Sequence, residues 1–210
     1  MGQKINPKGF RVGISKDWDS RWFADKFNYP KLVKEDKMIR EYLMERFATA
    51  GIKKIEIERS PNEVNITIKV SRPGVVIGRG GAGVTEAQEK IKEFTDSKSS
   101  LTAEQIKDPE LHAQLVADYI SRQIKRRIHY RRVVSSAVQS AMDKGAKGIK
   151  IQVSGLLSGG NSISRRESTS MGSVPTQTLR ADIDYAQVHC KMLYGTIGIK
   201  VWIYKGEKEI

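Results

Sequence analysis

Apolar residues recur with helical spacing in two stretches of the N-terminal half, and between those stretches they alternate with polar residues. The first stretch predicts a helix over 29–50, which a glycine ends. Alternation predicts two strands, 52–58 and 64–70, joined as a hairpin with one buried face. A second amphipathic helix is predicted over 84–95, and a short third strand over 99–105.

The C-terminal half shows the same two kinds of pattern in a different order. Pro109 predicts the start of a helix whose apolar side runs to Ile128, and a second helix is predicted over 130–143. Strand-like runs follow, and a loop containing Ser, Gly and Arg is predicted over 158–178, between the first two runs. The runs are 149–153, 179–185 and 199–203. Helices and strands in this order predict an α+β fold.

A boundary near Asp108 divides the chain into two α+β domains. Residues 1–38 are predicted to form an N-terminal arm and the start of the first helix, and residues 39–108 the first domain. Residues 109–210 are predicted to form a C-terminal α/β domain of two helices and a β-sheet. The arm contains three aromatic rings that either stack on bases or anchor the arm to the domain surface. These rings belong to Trp18, Trp22 and Phe23.

Charge is distributed unevenly along the chain. The net charge is +13 and the isoelectric point is near 9.8, which predicts a polyanionic partner. Residues 61–110 hold seven basic and eight acidic residues, whereas 111–150 hold nine basic and two acidic ones. A basic block beside a nearly neutral one indicates a binding face, although such blocks also occur as solvated helix faces. The predicted phosphate contacts in this block are Arg122, Lys125, Arg126, Arg127, Arg131 and Arg132.

Composition argues against several classes of protein. No apolar run approaches the roughly 18 to 20 residues of a membrane span, and the N-terminus has no apolar signal segment. Cys190 is the only cysteine, so neither a disulfide framework nor a multi-cysteine metal site is expected. These observations predict a cytoplasmic protein, or a protein of an organelle matrix if an import sequence has been removed.

The glycine cluster Gly78-Arg79-Gly80-Gly81-Ala82-Gly83 fits two motifs. As G-x-G-x-x-G it is the dinucleotide-binding fingerprint, which needs a parallel strand before it, a helix start, and an acidic residue about 20 residues further on. Here Val75–Ile77 make a poor strand, and no convincing βαβ unit follows. As Val-Ile-Gly-x-x-Gly it is the turn between two short helices that holds the RNA backbone, in the element order of a type II KH domain. A purely structural glycine turn is the third interpretation. We favour the RNA interpretation, in which the contacts come from Arg72, Gly78, Arg79, Gly80 and Gly81.

Short segments spread over nearly the whole chain carry a family resemblance. They are 1–7, 18–23, 72–78, 109–111, 115–118, 145–150, 179–185 and 198–203. In this order they resemble the bacterial-type small-subunit ribosomal protein three, the universal KH-domain protein of the small-subunit head. The resemblance implies a structural constituent of the small ribosomal subunit that binds its rRNA in the head and lines the mRNA entry channel. It also implies small-subunit ribosomal proteins ten and fourteen as neighbours, with no cofactor and no small-molecule substrate.

The resemblance also assigns individual residues to RNA. They are Arg131 and Arg132 for mRNA and Arg165 in the 161–175 segment. In the arm, basic residues that alternate with Gly and Pro are predicted to contact rRNA phosphates, and these are Lys4, Lys8 and Arg11. Two departures from the family pattern predict a weaker contact with mRNA. The next basic position of the family falls at Ser135, which Ser136 follows, and the 161–175 segment lacks the family's aromatic residues and later arginines.

No constellation of residues predicts catalysis or a metal site. Asp182 and Asp184 lie two apart on a predicted strand, and Arg180 on the same face makes charge pairing a simpler expectation than Mg²⁺ binding. The histidines stand apart from metal-ligand spacings and are expected at a surface or an interface; they are His112, His129 and His189. Two alternative functions stay open, a free KH-domain regulator of mRNA and, with less support, a dinucleotide-dependent enzyme.

Overall fold

The computed structural model of the chain describes residues 4–95, 97–157 and 163–208. Residues 1–3 of the family resemblance and 158–162 of the predicted loop therefore lie outside the described residues. Within the described ranges, no helix combines the length and the apolar character that crossing a bilayer requires.

The chain folds as two compact units. One is Trp18–Lys107, and the other joins Met1–Asp17 to Asp108–Ile210. The sequence instead suggested that 1–38, an arm and the start of the first helix, leads into the first domain. The division differs because residues near the N-terminus bond to the C-terminal strands, which a linear pattern does not reveal.

Helices and strands are numbered here in chain order. The helices are α1 (Pro7–Arg11), α2 (Tyr29–Arg46), α3 (Pro73–Ile77), α4 (Ala82–Lys92), α5 (Ala113–Lys125) and α6 (Tyr130–Asp143). The strands are β1 (Ser20–Arg21), β2 (Ile52–Arg59), β3 (Glu63–Val70), β4 (Lys98–Gln105), β5 (Gly148–Gly155), β6 (Arg165–Gly172), β7 (Ala181–Met192) and β8 (Gly195–Glu207). Short 3₁₀ turns at Arg79–Gly81 and Pro109–Leu111 precede α4 and α5. Both units mix helices with sheet, which confirms the predicted α+β class.

The N-terminal unit is a four-stranded sheet with helices packed against it. Its strand order is β1-β2-β3-β4, with β2 and β3 antiparallel and β3 and β4 parallel. Alternation along β3 buries Ile66 and Ile68, which share one core with Leu43 of α2 and Ile91 of α4. From α2 to β4 the order is helix, strand, strand, helix, helix, strand, which is the order of a type II KH domain.

The C-terminal unit is a second four-stranded sheet, with the order β6-β5-β8-β7 and antiparallel neighbours throughout. Helices α5 and α6 pack in one core with the sheet, where Ile120 and Val134 meet Ile149, Ile151 and Ile199. A smaller apolar cluster contains Ile183, Trp202 and Tyr204. Helix α1 packs beside β7, which ties the N-terminal segment to this unit.

Strand β6 lies inside the stretch that the sequence predicted as a loop. Nearly all of its side chains are exposed, so its sequence shows no apolar alternation. Its backbone pairs with β5 from Gly172 opposite Gly148 to Arg165 opposite Gly155. The loop prediction was wrong here because an edge strand with two solvated faces needs no hydrophobic pattern.

The proline signal predicted that this helix begins at Pro109, but α5 begins at Ala113. The backbone N–H of Ala113 donates to the Asp184 carboxylate of β7 at 3.0 Å. A carboxylate at a helix N-terminus satisfies an otherwise unpaired amide and interacts favourably with the helix dipole. The start of α5 is therefore set by a partner distant in sequence.

Candidate nucleic-acid interface

The glycine loop of the N-terminal unit joins α3 to α4. Gly78 has a φ of +71°, a left-handed conformation that favours glycine, and a Cβ there would lie 3.0 Å from the backbone nitrogen of Gly83. A Cβ on Gly83 would lie 2.5 Å from the Val76 carbonyl oxygen, so the two helices approach more closely than a side chain allows. The glycines therefore bring the backbone of the turn to the surface between two helices.

The structure separates the KH and dinucleotide interpretations by what precedes the glycines. Val75–Ile77 belong to helix α3, whereas the dinucleotide fingerprint places its glycines directly after a strand. A parallel crossover does enclose the loop, because β3 and β4 are parallel neighbours across α3 and α4. The loop nevertheless joins two helices, which is the KH arrangement.

The predicted cations of the loop region are Arg72 and Arg79, and both are exposed. Within residues 4–95, 97–157 and 163–208, neither guanidinium forms a hydrogen bond or an ion pair. Gly78 and Gly80 are exposed as well, and Gly81 is half-buried. The loop thus offers backbone close to solvent and few charges.

A denser set of cations lies where α5 ends and α6 begins. We call it the basic junction: Arg122, Lys125, Arg126, Arg127, Arg131 and Arg132, all of them exposed. Arg127 has a φ of +63°, and its N–H donates to the Ile124 carbonyl at 2.8 Å, which closes the end of α5. The negative end of the helix dipole favours cations at this position.

The six cations of the basic junction differ in whether they form hydrogen bonds or ion pairs within the protein. The Arg131 guanidinium donates twice to Glu167 of β6, from Nη2 to Oε1 at 2.9 Å and from Nε to Oε2 at 3.3 Å. Arg122 donates from Nε to the Asp118 carbonyl of its own helix at 3.3 Å. The other four have no hydrogen bond or ion pair to any described residue; they are Lys125, Arg126, Arg127 and Arg132.

Glu167 receives a second donor from α6. The Tyr130 hydroxyl donates to Oε1 of Glu167 at 2.8 Å. Hydrogen bonds from Arg131 and Tyr130 hold the pKa of Glu167 below its usual range, and the contact with Glu167 raises the pKa of Arg131. No sequence pattern indicated this group, because Glu167 follows two arginines in a predicted loop, 36 residues away from Arg131.

A groove lies beside this group, between α6 and the strands β5 and β6. Its volume is about 210 Å³. Val134, Ile151 and Val153 are its apolar lining residues, with Ser135 and Thr169 among the polar ones. Ser135, where the family resemblance expects a cation, therefore places a hydroxyl here.

The N-terminal segment presents fewer exposed cations than the sequence suggested. Arg11 is fully buried, and its guanidinium donates to four backbone carbonyls at 2.8 to 3.1 Å. The acceptors are Pro7, Thr176, Thr178 and Ala181. The sequence predicted an RNA contact at Arg11, but the side chain is fully buried and four of its five N–H donors are used inside the protein, which counts against that contact. Lys4 and Lys8 are exposed and stay predicted contacts.

The two aspartates of β7 have partners other than the expected Arg180, which pairs with Glu207. Asp182 accepts from Lys16 at 2.6 Å and lies 3.5 Å from the Lys208 ammonium. Asp184 lies 3.7 Å from His112 Nδ1 and caps α5. A β-bulge between Asp182 and Ile183 changes the register.

His112 is mostly buried, with 12% of its side chain exposed, so of the surface and interface positions that the sequence predicted, the surface one does not apply to this histidine. Lys205 Nζ lies 3.2 Å from its Nδ1. Burial acts to raise the pKa of Asp184, but hydrogen bonds from His112 and the Ala113 amide outweigh it and lower that pKa well below its usual range. We call this set the α1–β7 cluster: Arg11, Lys16, His112, Asp182, Asp184 and Lys205. His129 and His189 are exposed.

The remaining predicted positions stand as follows. Arg165 is exposed at the start of β6. Cys190 is buried as a free thiol. Among the described residues, no three His, Cys, Asp or Glu side chains come together in a group that would hold a metal ion.

Known families and proteins are similar to this chain along nearly its whole length. Residues 38–111 match the family model described as KH domain, and 120–203 match the one described as Ribosomal protein S3, C-terminal domain. The chain is 50% identical over 207 residues to Small ribosomal subunit protein uS3 of Desulforamulus reducens, covering 99% of this chain and 93% of the relative. Proteins of the same name from Shouchella clausii and Finegoldia magna are 49% identical over 99% of this chain, which covers 94% and 84% of those relatives.

Proposed function

This chain belongs to the ribosomal protein S3 family, and we propose that it is a structural constituent of the small ribosomal subunit that binds rRNA in the head and lines the mRNA entry channel. The two family matches include the glycine loop and the basic junction, respectively. This assignment implies a role in the cytoplasmic small subunit during translation. That role requires no catalytic residue.

The observation that carries the proposal is the basic junction. Four exposed cations, Lys125, Arg126, Arg127 and Arg132, lie at the meeting of two helices with no described carboxylate to neutralise them. Because such cations release counterions from a nucleic acid backbone, they supply affinity that falls steeply with salt. The helices are fixed by a buried core, so the cations are presented from a rigid base.

The glycine loop supports a second RNA contact of a different kind. Its turn brings backbone amides to the surface before helix α4, where a phosphate approaches without a Cβ in the way. Arg72 and Arg79 add exposed charge next to the turn. We therefore assign recognition of a few nucleotides of backbone to the loop, and most of the electrostatic affinity to the basic junction.

The mRNA contact belongs to the same proposal. Arg132 is available to a phosphate as it stands, whereas Arg131 is already paired with Glu167. With Ser135 in place of a cation, we expect a weaker contact with mRNA than a fully basic helix would give. Small-subunit ribosomal proteins ten and fourteen are the proposed protein neighbours, on the family resemblance alone.

A matched pair of double variants tests the role of the basic junction. Arg126→Ala with Arg132→Ala removes two cations that have no described partner, and Lys144→Ala with Arg180→Ala removes two exposed cations paired with Asp108 and Glu207. Both variants lose the same charge. We expect only the first to dissociate from small subunits at lower KCl in sucrose gradients, because it loses phosphate contacts.

Equal dissociation of the two double variants would contradict the assignment to the basic junction. Native protein found only as free monomer, never with small subunits, would contradict the ribosomal role and favour the free mRNA regulator. A fluorescence change on adding NAD(P) would favour the dinucleotide-dependent enzyme.

A further inference from the structure

We propose that Glu167 is an internal competitor for RNA phosphate at Arg131, and that it sets how much of the basic junction is available to RNA. The inference rests on the proposed function, because it concerns the strength of the same RNA contact. The inference adds the acidic Glu167 to a site that a count of its charged residues along the sequence marks as basic.

The geometry of the pair is that of arginine with an anionic ligand. Two N–H groups on one edge of the Arg131 guanidinium face the two oxygens of one carboxylate, at 2.9 and 3.3 Å. A phosphate is bound by arginine through the same two-pronged arrangement. Glu167 therefore occupies the position that an RNA phosphate requires on this edge.

Tyr130 and strand β6 keep Glu167 in place. The Tyr130 ring is buried, and its hydroxyl donates to the same Oε1 atom that Arg131 contacts. The backbone of Glu167 is fixed opposite Val153 of β5. The Tyr130 hydroxyl and the pairing of β6 with β5 therefore hold the carboxylate in place, whereas an unpaired surface glutamate moves freely. The hydrogen bonds from Arg131 and Tyr130 also lower the pKa of this carboxylate.

Arg132 provides the internal comparison. It is the next residue of α6, is exposed, and has no partner among the described residues. RNA meets Arg132 without competition, but it must displace or share Glu167 to reach the paired edge of Arg131. Two adjacent arginines therefore differ in their contribution to binding, which residue type alone does not indicate.

Glu167→Gln tests the competition in the full-length chain. The amide keeps an oxygen to accept from Tyr130 but no longer neutralises Arg131. With a short single-stranded RNA in a KCl titration followed by fluorescence anisotropy, we expect affinity to rise about three- to tenfold and the salt slope to steepen by about 0.7, the value of one added phosphate contact. Tyr130→Phe removes only the hydroxyl anchor and is expected to raise affinity less.

Glu207→Gln is the matched control, because it removes the same charge from an exposed arginine pair, Arg180–Glu207, at the other side of the sheet. An increase for Glu167→Gln no larger than for Glu207→Gln would overturn the inference. So would an increase that persists when Arg131→Ala is also present, since Glu167 would then act through general charge. If Arg132→Ala lowered RNA affinity and Glu167→Gln left it unchanged, the proposed function would stand and the competition by Glu167 would be ruled out. No response to either variant would count against both.

Discussion

Two regions of the C-terminal unit use the same kind of side chain for opposite purposes. In the α1–β7 cluster, Arg11 is fully buried and donates to four backbone carbonyls. In the basic junction, Arg126 and Arg132 are exposed and meet no described acceptor. Charged groups in the first region bond to one another and to the backbone, and they hold α1 and α5 against β7. Charges in the second are left for a partner outside the chain.

The contrast shows that net charge is a poor guide to RNA binding unless the charges that are already bonded within the protein are subtracted. A buried arginine that donates to several backbone carbonyls contributes to stability, because removing it takes those hydrogen bonds away. An exposed arginine contributes little to stability, because water satisfies its hydrogen-bond donors equally well. Variants in the two regions should therefore separate the free energy of unfolding from RNA affinity.

The largest effect is expected at Arg11. Arg11→Met keeps much of the side-chain volume but removes four buried or partly buried hydrogen bonds to backbone carbonyls, so the free energy of unfolding should fall by about 3 kcal/mol. Arg126→Met in the basic junction is the control and should change it by less than about 0.5 kcal/mol. Urea unfolding followed by circular dichroism measures both. A similar change in the two variants would remove the distinction between the regions.

Asp184 gives the next largest effect, and it depends on pH. Asp184→Asn removes the charge that accepts from Ala113 and lies beside His112, and it should lower the free energy of unfolding at pH 7 by about 2 kcal/mol. Because the folded pKa is lowered, this contribution is complete above the unfolded pKa of about 3.9 and is lost as pH falls through the folded pKa. The gap between wild type and variant should therefore narrow below about pH 4. A gap that stays constant from pH 7 to pH 2 would show that the charge is not involved.

The contrast between the regions also marks how far sequence alone could go. The glycine loop and the basic block lie on single stretches of chain, so motif and charge patterns found them. The partners of Arg11 lie 165 to 170 residues away apart from Pro7, and no local pattern records which arginine meets carbonyls and which meets solvent.

The same limit explains the missed pair at Arg131. Glu167 lies on β6, an edge strand held by backbone pairing and nearly devoid of buried side chains. Without an apolar pattern the strand could not be predicted, and without the strand the carboxylate could not be placed beside Arg131. Strand β7 shows the milder case: its alternating start was predicted, but the strand runs on to Met192.

A smaller effect is expected from adding charge to the basic junction. Ser135 is exposed on α6, three and four residues after Arg132 and Arg131, so Ser135→Lys places a cation on the same helix face. RNA affinity should rise a few-fold and the salt slope should steepen by about 0.7, while the free energy of unfolding should barely change. Gln139→Lys, one turn further along α6, is the control for position. An equal gain from both would mean that total charge matters and the junction does not.

The smallest effect separates stability from binding at a single residue. Arg127 is the one non-glycine residue with a positive φ in the described part of the chain, and it stands where glycine usually ends a helix. Arg127→Gly relieves the left-handed strain but loosens the unfolded chain, so the free energy of unfolding should rise by no more than about 1 kcal/mol. RNA affinity should fall in the same variant, because a cation is lost from the junction. Arg127→Asn keeps a side chain that tolerates this conformation and should lose affinity with little change in stability. If Arg127→Gly weakened the fold and left RNA affinity unchanged, Arg127 would belong with Arg11 as a structural arginine.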